Sequence, residues 1–348
     1  MQVRTAVPLA PLTTLRLGGP AARMVGLDRE ADVVDLARAA RDGEPVFVLG
    51  GGSNVVVADE GFAGTVACMR LRGVGVARAG ERVLVDVAAG EDWDDLVARA
   101  GDEGWAGLEC MSGIPGRVGA TPIQNVGAYG QEVSDTIVRV RAFDREAQDF
   151  VHLDPAACGF GYRASIFKGA DRWIVVGVRF ALRAESEAPV PAYAELLAAL
   201  GAGGGDRVPL RRVRETVVAL RRRKGMVLDA TDPESVSAGS FFVNPVVEAA
   251  TLERVEARAG EPPPRFAAGP GRYKLAAAWL VERAGFSKGW GSGAIGVSRK
   301  HALALVHRGG GTARELVTLA RTIRDAVEAR FGVRLRPEPV FVGCSWEE

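Results

Sequence analysis

Apolar and polar positions along this chain switch between a period of two and a period near 3.6, and the switches mark out strands and helices. Residues 22–27 form an apolar run, and 28–42 place Val33, Val34, Ala37 and Ala40 on one helical face. Residues 45–49 read as a continuous apolar strand, followed by a glycine turn and a second strand at 55–58. Strands at 64–69 and 83–88 lead to a helix at 91–103 with Trp93, Leu96, Val97 and Ala100 inward. Further strands are expected at 137–143 and 173–182. A helix at 209–223 buries Leu210, Val213, Val217 and Leu220 beneath an arginine-rich face. Residues 239–247 follow, then helices at Ala249–Ala259, 274–284 and 312–330, the last aligning Leu316, Leu319, Ile323 and Val327. A strand at 302–307 precedes that last helix, and a strand pair around Pro337 closes the chain. Strands and helices mixed in this order predict an α+β protein with at least two lobes.

One stretch follows neither period. Residues 104–130, GWAGLECMSGIPGRVGATPIQNVGAYG, are crowded with Gly, Pro and Ala, and loops of that length in a compact domain are usually functional. The turns Ser112, Gly113, Ile114, Pro115 and Gly116, with Gly119 and Ala120, and the run Gln124, Asn125, Gly127, Ala128 and Tyr129 offer backbone donors, amides and small residues. Such a surface admits a large flat cofactor at close range; the other reading is a structural loop with many turns. The GGGSN unit, Gly50, Gly51, Gly52, Ser53 and Asn54, also reads two ways, as a tight turn or as an anion cradle. It is not the dinucleotide fingerprint, because Val55 stands where glycine is required and a strand follows instead of a helix. A literal GxGxxG at 291–296 lacks a preceding strand and a following helix. Residues 165–168 match SxxK, but the SDN and KTG partners of an acyl-serine enzyme are absent.

Composition narrows the function classes. The 348 residues suggest two or three domains, and 44 Lys+Arg against 43 Asp+Glu give a net charge of +1. That balance speaks against a nucleic-acid partner. Only five cations are lysine: Lys168, Lys224, Lys274, Lys288 and Lys300. Four cysteines without a CxxC pair, and three histidines without ligand spacing, predict neither a metal site nor a disulfide framework. The N-terminal apolar run is broken by Pro8 and Pro11, and no stretch approaches the roughly 18 apolar residues of a membrane span. A soluble cytoplasmic protein without a membrane partner is expected. Three single residues stand out by setting: Arg163 among aromatics in GFGYRASIFK, Ser240 in AGSFFVNP, and Glu338 between prolines in RLRPEPVFVG. Taken alone, each has an ordinary reading as a surface cation, a turn and a paired acid.

Their order along the chain gives them a common setting. TTLRLGGPA, VLGGGSN, the 104–130 loop, GYRASIFK, AGSFFVNP, KLAAAWLVE and LRPEPVFVG together resemble the UDP-N-acetylenolpyruvoylglucosamine reductase family, from Thr13 to Gly343. The resemblance implies a two-domain FAD-binding scaffold of the vanillyl-alcohol-oxidase type plus a third, α+β substrate-binding domain. The divisions expected are 1–68 completed by 332–348, then 69–208, then 209–331. It implies the longer form of the family, with a tyrosine-bearing insertion at 191–200 whose Tyr193 folds over substrate. It further implies FAD held by the GGGSN and 112–129 residues named above, and NADPH as hydride donor. UDP-N-acetylenolpyruvoylglucosamine would be the substrate and the protein a monomer. By motif match Arg163 and Glu338 stabilise developing charge and Ser240 protonates C2. By resemblance Lys224, Asn244, Lys288 and His301 would hold the nucleotide-sugar, and Arg221 at the arginine-rich end of helix 209–223 would add to the field at its diphosphate. Val243 and His301 depart from the residues usual at those positions. Competing readings are an oxidase on the same flavin scaffold, which leaves SFFVNP unexplained, and a binding module without turnover.

Overall fold

A computed structural model of the chain describes residues 2–40 and 43–347. Met1 and Glu348, at the limits of the expected domains, lie outside the described residues, as do Arg41 and Asp42, which end the helix expected over 28–42. The chain packs as two units, each made of segments distant in sequence. The first takes the N-terminal residues to Val7, Ala21–Gly52 and Ala63–Arg223; the second takes Pro8–Pro20, Ser53–Phe62 and the chain from Lys224 onward.

In the first unit, a four-stranded sheet runs in the order Val3–Pro8, Pro20–Leu27, Phe62–Met69, Val46–Leu49. Its last pair is parallel, with Leu49 opposite Cys68. A larger antiparallel sheet follows the order Asp149–Leu153, Ile137–Asp144, Trp173–Ala184, Arg82–Ala88, Val74–Ala79. Trp173–Ala184 contributes side chains to two cores. Ile174 and Val176 meet the core that includes Val33 and Leu36 of helix Glu30–Ala39. Val178, Phe180 and Leu182 meet Trp93, Leu96 and Val97 of helix Trp93–Glu103. That helix starts where Asp92 accepts the Asp94 and Asp95 N–H groups, a cap worth about 1 kcal/mol. It stops at Gly104, which takes the left-handed conformation. Helix Leu210–Arg223 also belongs to this unit, burying Val213, Val217 and Leu220 with Cys110, Tyr129 and Leu196.

The second unit is built round helix Ala313–Phe331, opened by a reciprocal Thr312–Glu315 capping box and ended by Gly332. Leu316, Ile323 and Val327 pack with residues of helices Ala249–Ala259 and Ala277–Arg283. Two three-stranded sheets flank this core, one ordered Ser237–Ser240, Ala304–His307, Ile295–Val297, the other Val246–Glu248, Arg272–Leu275, Arg265–Ala267.

The structure revises four expectations. The helix expected at 274–284 is a strand, Arg272–Leu275, followed by helix Ala277–Arg283. Asn244 Oδ1 accepts the Ala277 N–H at 2.9 Å and so starts the helix late, leaving Leu275 to pair within a sheet. The closing strand pair is a single strand, Val340–Val342, laid parallel to Val55–Val57. Val74–Ala79 and Asp149–Leu153 are strands with no marked alternation in sequence, because each lies at a sheet edge and fully buries none of its residues. The helix over 28–42 spans Glu30–Ala39 and buries Leu36 in place of Val34.

Candidate active site

The two glycine-rich stretches meet. A Cβ placed on Gly51 would lie 2.7 Å from Gly116 Cα, and one on Gly50 would touch Arg117 and Ala120. Side chains at the Gly51 contact would push the turns apart, so the Gly50–Gly52 turn and the 112–120 loop form one backbone-lined cradle within the first unit. Gly119 is equally tight, with 2.4 Å from its would-be Cβ to that of Ala89. Surfaces of exposed backbone amides and small residues suit a diphosphate and a flat ring. The division between the two units falls inside GGGSN, after Gly52.

Hydrogen bonds fix this loop from below. Ser112 is fully buried, and its hydroxyl donates to the Glu109 carbonyl at 2.7 Å. The Gly113 N–H donates to Asp94 Oδ1 at 2.6 Å. Asp94 in turn accepts two bonds from Arg214, at 2.6 and 2.8 Å, a planar fork–fork pair. Burial pushes the Asp94 pKa up, but the Arg214 and Gly113 bonds outweigh it and hold it below an ordinary aspartate. Ser112 and Gly113 thus support the cradle, while Asp94 and Arg214 were not singled out in the sequence. The acidic run EDWDD and the arginine-rich helix face were their only signals.

Arg163 lies against the far part of the same loop. Its Nη2 donates to Gly127 O at 2.7 Å and its Nη1 to Asn125 O at 3.3 Å. Its backbone carbonyl accepts from Lys168 Nζ at 3.3 Å. The residue sits at φ 55°, a left-handed conformation that costs on the order of 1 kcal/mol for a side chain of this size. Asn125, also at positive φ, donates to Glu132 and Gly161 and accepts from the Ser134 N–H, so its amide orders the loop round Arg163. In the same unit the Tyr193 ring meets Tyr129 edge-on, centroids 5.2 Å apart. Burial raises the pKa of both phenols, with Arg221 opposing the rise at Tyr129. Burial lowers the Arg221 pKa, with Tyr129 and Asp94 pulling the other way.

In the second unit, Ser240 ends strand Ser237–Ser240, where Gly239 at φ 73° and a register shift break the ladder. The next two residues, Phe241 and Phe242, are buried with their rings 5.2 Å apart, and anchor the strand end. Glu338 joins them: its N–H donates to Phe241 O at 2.8 Å, and Phe242 bridges Pro337. Its carbonyl accepts from Asn54 Nδ2 at 3.3 Å. Thr14 ties the first motif in, donating to Ser237 O at 2.6 Å and to Ser53 O at 3.4 Å. His301 accepts the Leu303 N–H on Nδ1 at 3.0 Å, which puts the neutral ring's proton on Nε2. Lys288 is exposed, and Lys224 and Asn244 are half-buried. The Asn244 oxygen is committed to the helix start described above. Among the described residues no group of three or more His, Cys, Asp or Glu could hold a metal ion. No helix of the described residues is long and apolar enough to cross a membrane.

The paired glycine turns of the first unit, lined by backbone and small residues, define a protein that binds a flat, diphosphate-bearing cofactor. Comparison with known proteins narrows the class. Residues 21–149 match the FAD binding domain model, and 232–342 match the C-terminal domain of UDP-N-acetylenolpyruvoylglucosamine reductase. The enzyme of that name from Thermobifida fusca is 51% identical, covering 97% of this chain and 98% of that protein. Its counterpart from Salinispora arenicola is 52% identical, covering 97% and 95%. The crystal structure of the Thermus caldophilus reductase superposes with a TM-score of 0.67 at 25% identity, covering 98% of this chain and 99% of that one. The chain belongs to the UDP-N-acetylenolpyruvoylglucosamine reductase family.

Proposed function

We propose that Arg163, Ser240 and Glu338 carry the NADPH-dependent reduction of UDP-N-acetylenolpyruvoylglucosamine to UDP-N-acetylmuramate, a step in peptidoglycan precursor synthesis. The chemistry FAD supplies when bound is hydride transfer, taken from NADPH and given to C3 of the enolpyruvyl ether. The Gly50–Gly52 turn and the 112–129 loop hold the cofactor, and the Gly51–Gly116 approach is the feature of this chain that fits them to it.

Hydride addition at C3 pushes negative charge through C2 onto the substrate carboxylate. Arg163 and Glu338 place a guanidinium and a hydrogen-bonding acid where that charge grows. Ser240 delivers its hydroxyl proton to C2. A serine is a feeble acid in water, so this role needs a site closed to solvent. Arg221, Lys224, Asn244, Lys288 and His301 hold the diphosphate and sugars, and Tyr193 closes over them. Asn244 does so through its amide nitrogen, since its oxygen caps a helix. The protein acts as a cytoplasmic monomer, divided into two flavin-holding domains and a substrate domain. Free cysteines at all four positions suit a reducing compartment.

The observation that carries the catalytic reading is the Glu338–Phe241 backbone bond, which aligns the segments bearing Ser240 and Glu338 within one unit. The test is spectroscopic. Purified protein should be yellow, NADPH should bleach it without oxygen, and UDP-N-acetylenolpyruvoylglucosamine should restore the colour. Reoxidation by oxygen but not by that sugar would overturn the reading.

A further inference from the structure

The glycines of the 291–296 stretch have a purpose unrelated to a nucleotide fingerprint. Arg308, just past strand Ala304–His307, lays its guanidinium across this loop. Nη1 donates to Gly291 O at 2.9 Å and Gly293 O at 3.4 Å, and Nη2 donates to Val297 O at 3.0 Å. A Cβ on Gly296 would lie 2.4 Å from Arg308 Nη1 and 2.8 Å from the Gly291 and Trp290 carbonyl oxygens. Glycine there is the condition for the arginine to reach three carbonyls at once.

The other side of Arg308 faces an acid. Its Nε lies 3.6 Å from Glu234 Oε1, and both atoms are buried without a hydrogen-bond partner among the described residues. Glu234 is only 5% exposed, and its second oxygen accepts the Arg299 N–H at 2.6 Å. A Cβ on Gly225 would meet the Glu234 carbonyl oxygen at 2.7 Å, so that turn rests on the same residue. Next door, Lys300 Nζ pairs with Asp232 Oδ2 at 2.7 Å. One buried acid–arginine pair therefore braces two short segments, the loop following Lys288 and the residues leading to His301, while the main chain of Glu234 backs the turn after Lys224.

We propose that Glu234 and Arg308 are positioning residues for the nucleotide-sugar, setting the loops that present Lys224, Lys288 and His301 to its diphosphate and sugars. This rests on the reading of those three residues as substrate ligands. The pair is poorly explained as a stabiliser, because a buried ion pair seldom outperforms apolar side chains of similar volume. What a guanidinium supplies here, and an apolar group cannot, is a fixed planar set of donors that registers one loop against another.

The test uses the full-length holoenzyme with NADPH and UDP-N-acetylenolpyruvoylglucosamine. Arg308→Lys offers one nitrogen in place of the fork. The double variant Glu234→Gln/Arg308→Gln removes both buried charges together and keeps the experiment open should the single variant fail to fold. Each is expected to raise KM for the sugar about tenfold or more, with kcat within roughly threefold and the flavin content and spectrum unchanged. Lys288→Ala and His301→Ala are measured alongside. If those two leave KM unmoved, the ligand reading falls. If they raise it while both pair variants keep the parent KM, the positioning role alone is overturned. Loss of flavin with kcat and KM changing together would make the pair a fold element and also overturn the proposal.

Discussion

Glu338 and Phe241 are joined main chain to main chain, the Glu338 N–H donating to the Phe241 carbonyl at 2.8 Å. Phe241 is 1% exposed and follows Ser240 directly, so the bond fixes the serine-bearing strand end against the segment of the acid. Replacing Ser240 by alanine removes one hydroxyl and leaves this framework in place. Flavin reduction by NADPH should stay within about threefold of the parent, while reoxidation by the enolpyruvyl sugar falls by roughly 10²–10⁴. Anaerobic stopped-flow absorbance follows the half-reactions separately. An equal fall in both would make Ser240 a structural residue.

The Gly51–Gly116 approach makes a second expectation. Gly51→Ala should force the two turns apart and cost about 1–3 kcal/mol, seen as a rise of roughly 5- to 150-fold in the dissociation constant for FAD. Gly75→Ala is the control. That glycine is exposed in an edge strand, and its added methyl would meet Asp86 Cβ at an ordinary 3.7 Å. Flavin fluorescence on titration of the apoprotein reads both variants. Equal affinities would show that the turns do not form the cradle.

What the sequence made legible divides along a physical line. Helices with one strong apolar face were readable in detail: Trp93, Leu96, Val97 and Ala100 are the buried residues of their helix, as are Leu210, Val213, Val217 and Leu220 of theirs. Edge strands were not, because Val74–Ala79 is mostly exposed and carries no alternating signal. The start of helix Ala277–Arg283 was hidden for another reason, its cap coming from Asn244 far back in the chain. Motif order pointed to Arg163, Ser240 and Glu338, since those stretches are local in sequence. Asp94 with Arg214, and Glu234 with Arg308, are long-range pairs, 120 residues apart in the first case. No single window contains both partners.

The Asp94–Arg214 pair gives an acid-side expectation with a definite sign. The Asp94 carboxyl is held below its ordinary pKa in the folded protein. Its contribution to stability is therefore present above the unfolded aspartate pKa, near 3.9, and is lost as pH falls through the lower folded value. Asp94→Asn keeps an oxygen for the Gly113 N–H but loses the charge that grips Arg214. It should lower stability at pH 7 by about 1–2 kcal/mol, with the deficit relative to parent shrinking toward pH 2–3. Urea unfolding at pH 7 and pH 3 measures this. A deficit independent of pH would mean that the ionised pair contributes nothing and only the shape of the side chain matters.

The cysteines give the alkaline counterpart. Burial pushes the Cys158 thiol up to about 11, with Asp154 adding to the rise, and burial also raises Cys68, Cys110 and Cys344. The thiolate is the nucleophile, so native thiols should react slowly with a disulfide reagent at pH 8, and all four should react quickly in denaturant. Cys110 and Cys158 should be slowest, being fully buried. For the raised thiols the folded state holds its protons longer than the unfolded chain. Their contribution to stability is thus intact below about pH 8.5 and declines as pH climbs toward the folded value near 11 at Cys158. Cys158→Ser would put a more polar group into the same apolar pocket, whereas Cys158→Ala removes the titration with a smaller change in polarity. The alanine variant should therefore lose less stability than the parent between pH 8 and pH 10, by up to about 2 kcal/mol at the alkaline end. Chemical denaturation across that range decides it, and parallel pH dependences for parent and alanine variant would show that Cys158 ionises as readily folded as unfolded.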